Sequence, residues 1–309
     1  MNKITVVTTS YNDSKNISKY LDSMCSQSVL PFEIIIADGG SKDNTLSIIE
    51  AYKRKTAIPI RVVQKGRLNI AQGFNLGIKY AQTQLVCLTC IGNTFPNDML
   101  ETLFHSFFET KCDACYGKMA GINNGKISKL YNKCFLGGET GIPVMSNRCV
   151  LYDKRVFDKI GFFLEHFLYA GEDAEFLQAF KKKGLKANFV PKVVVYWETP
   201  NSWNEYLKKL KFYSIAELQY SSIMKQYINK DLALLFIFIA SLILGGMGKV
   251  FIIIIPLACF ATLILYTSIS KKLSLNESLF CLSRRYIKLF YKIRYVKYCF
   301  PKFRVQRCY

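Results

Sequence analysis

Carboxylates and short polar runs follow predicted strands in this 309-residue sequence. One such carboxylate is Asp38, which ends the run FEIIIAD and is followed at once by Gly39 and Gly40. A carboxylate there could accept hydrogen bonds from a nucleobase imino group or from ribose hydroxyls, and the glycines let the backbone turn closely around a ligand. Asp-Gly is also a common turn dipeptide, so a purely structural role for Asp38 stays open on position alone.

Two further polar runs stand at strand ends of the same predicted sheet. TTSYND follows the first strand, and TCIGNTF follows the fourth. In an open parallel α/β sheet, ligands bind beyond the carboxyl ends of the strands. The sequence therefore predicts a ligand site at this edge of the sheet.

Alternating strand and helix patterns must position these runs. Strands are predicted in KITVVTTSY, EIIIADGG, PIRVVQ and QLVCLTCI. Helices are predicted between them in DSKNISKYLDSMCSQ, SKDNTLSIIEAYKRK and NIAQGFNLGIKYAQ, which carry apolar residues at helical spacing. This alternation predicts a parallel sheet with crossover helices.

The middle of the chain, about 112–165, is rich in Gly and Asn turns and carries one strand-like run at 147–152. A helix is predicted in the stretch AGEDAEFLQAFKKKGLKANFVP, with Gly184 as a fitting stop. The run KVVVYW then predicts a late strand.

Composition indicates a folded chain with an anionic partner. Half of the residues are apolar, which allows a sizeable core, and 42 Lys and Arg residues against 22 acids give a net charge of +20. The stretch 271–309 alone holds eleven Lys or Arg residues and one acid. The eleven cysteines are scattered, often in apolar runs, and are expected to be reduced thiols of a cytosolic chain.

Two charge-free runs, within residues 226–270, predict a transmembrane or re-entrant helical hairpin. The second run, 250–269, would span about 30 Å as a helix, which is the thickness of a bilayer core. The first run is short for a span, so it either extends into its flanks or dips into the membrane and returns. The alternative is a buried helical hairpin in a soluble domain.

The tail, 271–309, mixes basic and aromatic residues. This mixture suits an anionic membrane surface, with aromatic rings at the level of the headgroups. Stacking on RNA bases is the weaker alternative, and no nucleic-acid partner is expected. Positive charge on both sides of the hairpin places the N-terminal domain and the tail in the cytoplasm.

Four sequence blocks, in this order, resemble the family 2 glycosyltransferases of the GT-A fold over about residues 3–220. The blocks are VVTTSYNDSKNISKYLDSMCSQS, EIIIADGGSKDNT, NIAQGFNLGIKYA and GEDAEF. The resemblance implies an α/β GT-A domain in 1–225, with a mainly parallel sheet and flanking helices. The later VVVYWETPNSWNEYLKKLKFYSIAE is similar to membrane-bound members that build bacterial surface polysaccharides, which implies the inner membrane of a bacterium.

The resemblance also implies site residues for the sugar donor. Thr9 and Tyr11 match the segment that lines the nucleotide base pocket. Asp38 matches the acid that contacts the base of the nucleotide sugar, and Ser41 belongs to the same block. These four residues are the expected donor site.

Residues for the reaction and the acceptor are implied in the same way. Asp173 of GEDAEF matches the catalytic base, Glu172 a position that faces the acceptor, and Trp197 an aromatic residue near the acceptor. A sugar hydroxyl is a poor nucleophile, so a positioned carboxylate must take its proton as the new bond forms. The implied reaction transfers a sugar, with inversion, from a nucleoside diphosphate sugar, expected to be a UDP-sugar, to a lipid-linked or growing polysaccharide acceptor.

One motif of the family is missing. Members usually end strand four with an Asp-x-Asp motif or a single Asp, which holds a divalent ion against the diphosphate. Here Cys90 stands at the first position, followed by Gly92 and Asn93. Mg²⁺ and Mn²⁺ prefer oxygen ligands, so the use of either metal is in doubt and its ligands are unknown.

Three explanations of the missing motif stay open. Asn93, water and the diphosphate hold the ion weakly, or cationic side chains such as Lys65 and Arg67 stabilise the leaving group instead. In the third, the chain is a catalytically silent, nucleotide-binding subunit of a polysaccharide assembly complex. Phe74 is a second departure, because relatives often carry arginine there.

Overall fold

The structure, a computed structural model, describes residues 3–223 and 273–295. They form two compact units, one built from 3–123 and 136–199 and the other from 124–135, 200–223 and 273–295. The predicted hairpin, 226–270, lies outside the described residues, as do 296–309 of the predicted tail. Among the helices that are described, none combines the length and the apolar character needed to cross a bilayer.

The strands, in chain order, are β1 (Ile4–Ser10), β2 (Glu33–Asp38), β3 (Ile60–Gln64), β4 (Leu85–Thr89), β5 (Asn93–Thr94), β6 (Ala114–Ile122), β7 (Ile142–Pro143), β8 (Cys149–Asp153) and β9 (Ala187–Glu198). The helices are α1 (Ile17–Cys25), α2 (Thr45–Lys53), α3 (Ile70–Tyr80), α4 (Met99–Thr110), α5 (Lys126–Phe135), α6 (Arg155–Ile160), α7 (Glu172–Lys182), α8 (Trp203–Ile223) and α9 (Leu275–Arg294). The predicted strands and helices of the first third are confirmed.

The first four strands form the parallel half of the sheet, in the order β3-β2-β1-β4. Their apolar, β-branched side chains are buried because helices cover both faces. The carboxyl ends of β1, β2 and β4 therefore meet at one edge, where the polar runs begin.

The remaining strands add antiparallel pairs, but β6 and β9 run in the same direction as β1, β2, β3 and β4, so the sheet is mainly parallel as predicted. β8 lies between β4 and β6 and is antiparallel to both, whereas β6 and β9 are parallel. β5 and β7 add short antiparallel pairs. All five residues of β8 are buried, and a strand buried on both faces has the same continuous apolar pattern whichever way it runs.

Two apolar layers hold the helices on the sheet. α1, α2 and α4 bury one face through Leu21, Ile49 and Leu103. α3, α6 and α7 bury the other, largely through aromatic rings such as Phe74 and Phe176. This packing orients the first turn of α7 relative to the sheet.

Two glycines let α3 approach β1 closely. A Cβ atom added at Gly77 would lie 2.3 Å from Cγ1 of Val7, and one added at Gly73 would lie 2.7 Å from Cγ2 of Thr9. The helix begins with a capping box, in which Asn69 and Gln72 each accept a hydrogen bond from the other's backbone N–H. The cap and the glycines together set where the N-terminus of α3 lies.

The second unit consists of α5, α8 and α9. Tyr206 of α8 stacks on Phe280 of α9, with ring centroids 4.8 Å apart. Glu217 of α8 forms ion pairs with Lys288 and Lys292 of α9, the second at 2.8 Å. An aromatic contact and an ion-pair cluster thus join these two helices.

Gly77→Ala tests the close packing of α3. The added methyl group would overlap Val7, so we expect the free energy of unfolding to fall by about 1–3 kcal/mol, despite the ~1 kcal/mol that alanine contributes in a helix. Chemical denaturation measures the change, and Ser47→Ala on the exposed side of α2 is the control. Adding Val7→Ala should make the double change less costly than the sum of the single changes, and strict additivity would contradict the contact.

Candidate functional site

A pocket of about 290 Å³ lies at the carboxyl ends of β1, β2 and β4. Its wall includes Thr9 at the end of β1, Tyr11 just after β1, Gly39 after β2 and Cys90 after β4. Asn69, which caps α3, closes another side. The three polar runs singled out in the sequence therefore do meet at one ligand-sized pocket.

Asp38 lies behind this wall and is fully buried, with 0% of its surface exposed. Its Oδ2 atom accepts hydrogen bonds from the backbone N–H groups of Gly40 (2.9 Å) and Ser41 (2.8 Å) and from the Gln64 amide (2.9 Å). Its Oδ1 atom accepts one from the Ser41 hydroxyl at 2.5 Å. The carboxylate thus holds the turn after β2, and direct contact with a nucleotide base stays a prediction.

Ser41 connects this turn to the one after β1. Its Oγ atom donates to Asp38 and accepts the backbone N–H of Asn12 at 2.8 Å. Asn12 in turn accepts the backbone N–H of Lys42 at 2.8 Å. Neither Asp38 nor Ser41 is part of the pocket wall, so both shape the wall from behind.

Tyr11 offers the pocket a flat ring. Its side chain is 48% exposed, and the Arg67 guanidinium carbon lies 5.8 Å from the ring centroid. A tyrosine ring of this kind can stack on a planar group such as a base. Thr9, on the same strand end, also lines the pocket.

Asp13 is a pocket residue to which sequence reasoning assigned no functional role. Burial raises the pKa of its carboxyl group, and the nearby charges of Asp43 and Asp38 act in the same direction. The backbone N–H of Tyr11 donates to Asp13 at 3.0 Å. Its place at the end of the run TTSYND was the signal that could have marked it.

The predicted catalytic base, Asp173, lies in the first turn of α7. The Ser146 hydroxyl donates to its Oδ2 atom at 3.1 Å, and the backbone N–H of Ala174 donates to Oδ1 at 2.8 Å. The partial positive charge of the helix N-terminus favours a carboxylate here. These two hydrogen bonds hold the Asp173 carboxylate in one orientation, in which it can accept a proton from a group placed beside it.

Glu172 is the buried neighbour of Asp173, with 6% of its surface exposed. Burial and the charge of Asp173 raise the pKa of Glu172 to about 8, although a hydrogen bond from Asn147 and the charge of Arg148 oppose the shift. The Asn147 amide lies 3.4 Å from Oε1. Glu172 is therefore mostly protonated at neutral pH, whereas most glutamates are ionised there.

Arg148, just before β8, is a second functional candidate that sequence reasoning missed. It lines the pocket, and its guanidinium carbon lies 4.3 Å from the ring centroid of Trp197. Its Nη1 atom donates to Oδ1 of Asn93 at 3.3 Å. No local pattern marked it, because it lies in the turn-rich middle whose elements the sequence left largely unassigned.

Cys90 connects the pocket with the acids of α7. It lines the pocket, and its thiol donates to the backbone carbonyl of Asn147 at 3.5 Å. Burial raises the pKa of Cys90 to about 12. The charge of Arg148 acts to lower this pKa, whereas the charges of Glu172 and Asp173 act to raise it. The acids of α7 therefore lie close to the pocket, although the chain separates them from β1 by more than half its length.

The donor set at the end of β4 does not fit a divalent metal ion. Cys90 stays a thiol because of its raised pKa, and Mg²⁺ or Mn²⁺ prefers oxygen ligands. The side-chain oxygen of Asn93 faces Arg148, and its amide nitrogen donates to the Cys90 carbonyl at 2.9 Å. Within 3–223 and 273–295, no group of three His, Cys, Asp or Glu side chains is placed to hold a metal.

Curated relatives of this chain transfer sugars. It is 24% identical, over 70% of its length and 73% of the relative's, to a dolichyl N-acetyl-α-D-glucosaminyl phosphate 3-β-D-2,3-diacetamido-2,3-dideoxy-β-D-glucuronosyltransferase of Methanococcus voltae. It is 26% identical, over 40% of its length, to the poly(ribitol-phosphate) β-N-acetylglucosaminyltransferase TarS of Staphylococcus aureus. That second match spans only 22% of TarS.

Solved structures share the fold. The mannosyltransferase PcManGT of Pyrobaculum calidifontis, solved with GDP-Man and Mn²⁺, aligns over 93% of this chain and 87% of its own, with a TM-score of 0.66 and 17% identity. TarS with UDP aligns over 70% of this chain and 65% of its own, with a TM-score of 0.51 and 18% identity. The fold is therefore the mixed α/β, GT-A type that the sequence resemblance implied.

A family model settles the relationship. The model described as glycosyl transferase family 2 matches residues 5–161, from β1 to the end of α6. The chain belongs to glycosyl transferase family 2.

Proposed function

We propose that the chain transfers a sugar, with inversion, from a nucleoside diphosphate donor, a UDP-sugar, to a hydroxyl group of a lipid-linked or growing polysaccharide acceptor. The observation that carries this proposal is the position of Cys90, which lines the pocket and donates to the backbone carbonyl of Asn147. The Asn147 amide in turn lies 3.4 Å from Glu172, the neighbour of Asp173. A nucleotide-sized pocket and a carboxylate base are thereby next to each other, in a family whose members transfer sugars.

The donor's nucleotide lies in the pocket, where Tyr11 stacks on the base and Thr9 contacts it. Asp38 and Ser41 contribute by holding the turn that brings the Gly39 backbone into the pocket wall. TarS was solved with UDP and with UDP-GlcNAc, which supports a UDP-sugar as the donor class. PcManGT was solved with GDP-Man, so GDP-sugars belong in the same donor screen.

The reaction is a single displacement. The acceptor oxygen attacks the anomeric carbon, the bond from that carbon to the diphosphate oxygen breaks, and the electron pair leaves with the nucleoside diphosphate. Asp173 takes the acceptor's proton, and the Ser146 hydroxyl keeps its carboxylate oriented. Attack opposite the leaving group inverts the anomeric centre without a covalent enzyme intermediate.

Glu172 and Trp197 serve the acceptor side. As a mostly protonated acid, Glu172 can donate a hydrogen bond to an acceptor oxygen at neutral pH, which a carboxylate cannot do. Trp197 is 8% exposed and holds Arg148 against its ring, so it acts by positioning that arginine at the pocket wall, where the donor pocket meets the acceptor side. The catalytically silent alternative is not favoured, because Asp173 is held in place beside the pocket.

Membrane attachment is part of the proposal and rests on the sequence alone. The apolar stretch 226–270 would anchor the 1–225 domain, and the basic tail, 271–309, would bind anionic lipids. This arrangement would place the site in the cytoplasm, at the inner membrane of a bacterium, beside a lipid-linked acceptor.

Asp173→Asn tests the catalytic base. We expect the rate of sugar transfer to fall about 100- to 10,000-fold, because the amide cannot take the acceptor's proton, while nucleotide affinity changes little. The measurements are donor turnover over a panel of UDP- and GDP-sugars with a lipid extract, and calorimetry with UDP and GDP. Asp158→Asn, an exposed acid on α6, is the control and should keep the parent rate. Parent-like turnover by the Asp173 variant would remove this residue from the mechanism.

Glu172→Gln tests the raised pKa. The folded protein binds a proton on Glu172 up to about pH 8, whereas the unfolded chain releases it near pH 4.5. Folding is therefore favoured by the proton at low pH, and this contribution, on the order of a few kcal/mol, is lost as pH rises from about 4.5 to 8. The melting temperature of the parent minus that of the variant should fall across this range.

Thermal unfolding at several pH values from 5 to 9 measures this difference. Glu109→Gln, an exposed glutamate of α4, should show no such trend. A constant difference between the parent and Glu172→Gln would mean that Glu172 is ionised throughout.

A further inference from the structure

Arg148 brings a cationic group to the pocket wall without a carboxylate to neutralise it. Within the described part of the chain, its guanidinium forms no ion pair and one hydrogen bond, to Asn93. The acid whose pKa it perturbs, Glu172, is mostly protonated at neutral pH and so does not cancel the charge. A half-buried cation in this state favours an anionic ligand.

The guanidinium is also held in a defined orientation. The Trp197 ring covers one of its faces at 4.3 Å, and Oδ1 of Asn93 takes one N–H of Nη1 at 3.3 Å. A guanidinium carries five N–H donors, which leaves several of them for a ligand. Such a planar fork binds two phosphate oxygens at once, and few rotamers need to be frozen when it does so.

Arg148 is also adjacent to the position where relatives carry their metal-binding acids. Cys90 and Arg148 both line the pocket, and the charge of Arg148 lowers the pKa of Cys90 against the effect of burial. The metal that those acids would hold does not fit the residues present here. The positive charge at this place in the pocket therefore comes from the side chain.

Lys65 and Arg67, the cations suggested by the sequence, are less suited to this task. Both are exposed, and neither is part of the pocket wall. The Arg67 guanidinium lies over the exposed ring of Tyr11. Water screens an exposed cation more strongly than a half-buried one.

We propose that Arg148 binds the diphosphate of the donor directly and stabilises the charge that develops on it as the sugar leaves, in place of a divalent ion. This inference deepens the proposed function and rests on it. Binding of the diphosphate should then be independent of divalent metal and should depend on the guanidinium.

The test is calorimetry on the full 309-residue chain in EDTA, with inorganic pyrophosphate, UDP, GDP, uridine and guanosine as probes. The variants are Arg148→Gln, which removes the charge, and Arg148→Lys, which keeps it without the fork. Arg67→Gln tests the rival cation, and Arg54→Gln, an exposed arginine after α2, is the matched control. Thermal unfolding checks that each variant is folded.

We expect the parent to bind pyrophosphate and a nucleoside diphosphate in EDTA. Arg148→Gln should weaken both about 10- to 100-fold and leave the nucleoside unaffected, because a charged hydrogen bond contributes roughly 1.5–3 kcal/mol. The affinity of Arg148→Lys for these probes should lie between those of the parent and of Arg148→Gln, and the affinity of Arg54→Gln should match that of the parent.

Any one of these results would overturn the inference: diphosphate binding that requires Mn²⁺, equal affinities for the parent and Arg148→Gln, a loss of affinity confined to Arg67→Gln, or an equal loss of nucleoside and diphosphate affinity. A parent that binds none of the phosphate probes would do the same. If pyrophosphate binding depends on Arg148 but no donor is turned over with any acceptor, the anion site stands and the proposed transferase function fails.

Discussion

A buried carboxylate at the end of β2 constrains the pocket at this edge of the sheet. Removing an ionised group from water costs several kcal/mol unless hydrogen bonds replace the water, and Asp38 has four donors from its own chain. Three of them come from Gly40 and Ser41, so the turn after β2 can take only a narrow set of conformations. Through Ser41, the same carboxylate also fixes Asn12 after β1. The shape of the pocket wall therefore depends on Asp38, although Asp38 itself does not line the pocket.

The site combines the two halves of the mixed sheet. The parallel half contributes Thr9, Tyr11 and Cys90, and the start of the antiparallel β8 contributes Arg148. Arg148 and Asp173 carry opposite charges here, whereas burial keeps Glu172 mostly protonated and raises the pKa of Asp13, which also lines the pocket. Under the proposed function, the positive Arg148 and the carboxylate of Asp173 match the polarity of a displacement in which one oxygen gains charge and another loses a proton.

Much of the parallel half was predictable, because strand composition and helical spacing are local properties of the chain. The direction of β8 was not, since hydrogen-bond pairing rather than composition decides it. For Asp38 the sequence left two roles open, and only the folded structure shows that its carboxylate lies inside the turn. Cys112 and Cys115 are a different case: their sulfur atoms lie 3.2 Å apart, and treating the cysteines as scattered overlooked their Cys-x-x-Cys spacing.

The glycine contacts of α3 have a consequence for how such pockets diversify. Gly73 packs on Thr9, and Thr9 and Asn69, from the strand and from the helix cap, both line the pocket. The gap between one helix and one strand therefore sets the pocket's width. Under the proposed function, paired size exchanges at 9 and 73 would alter which donors fit while Glu172 and Asp173 stay untouched, so donor preference can drift among descendants of this sequence without loss of chemistry.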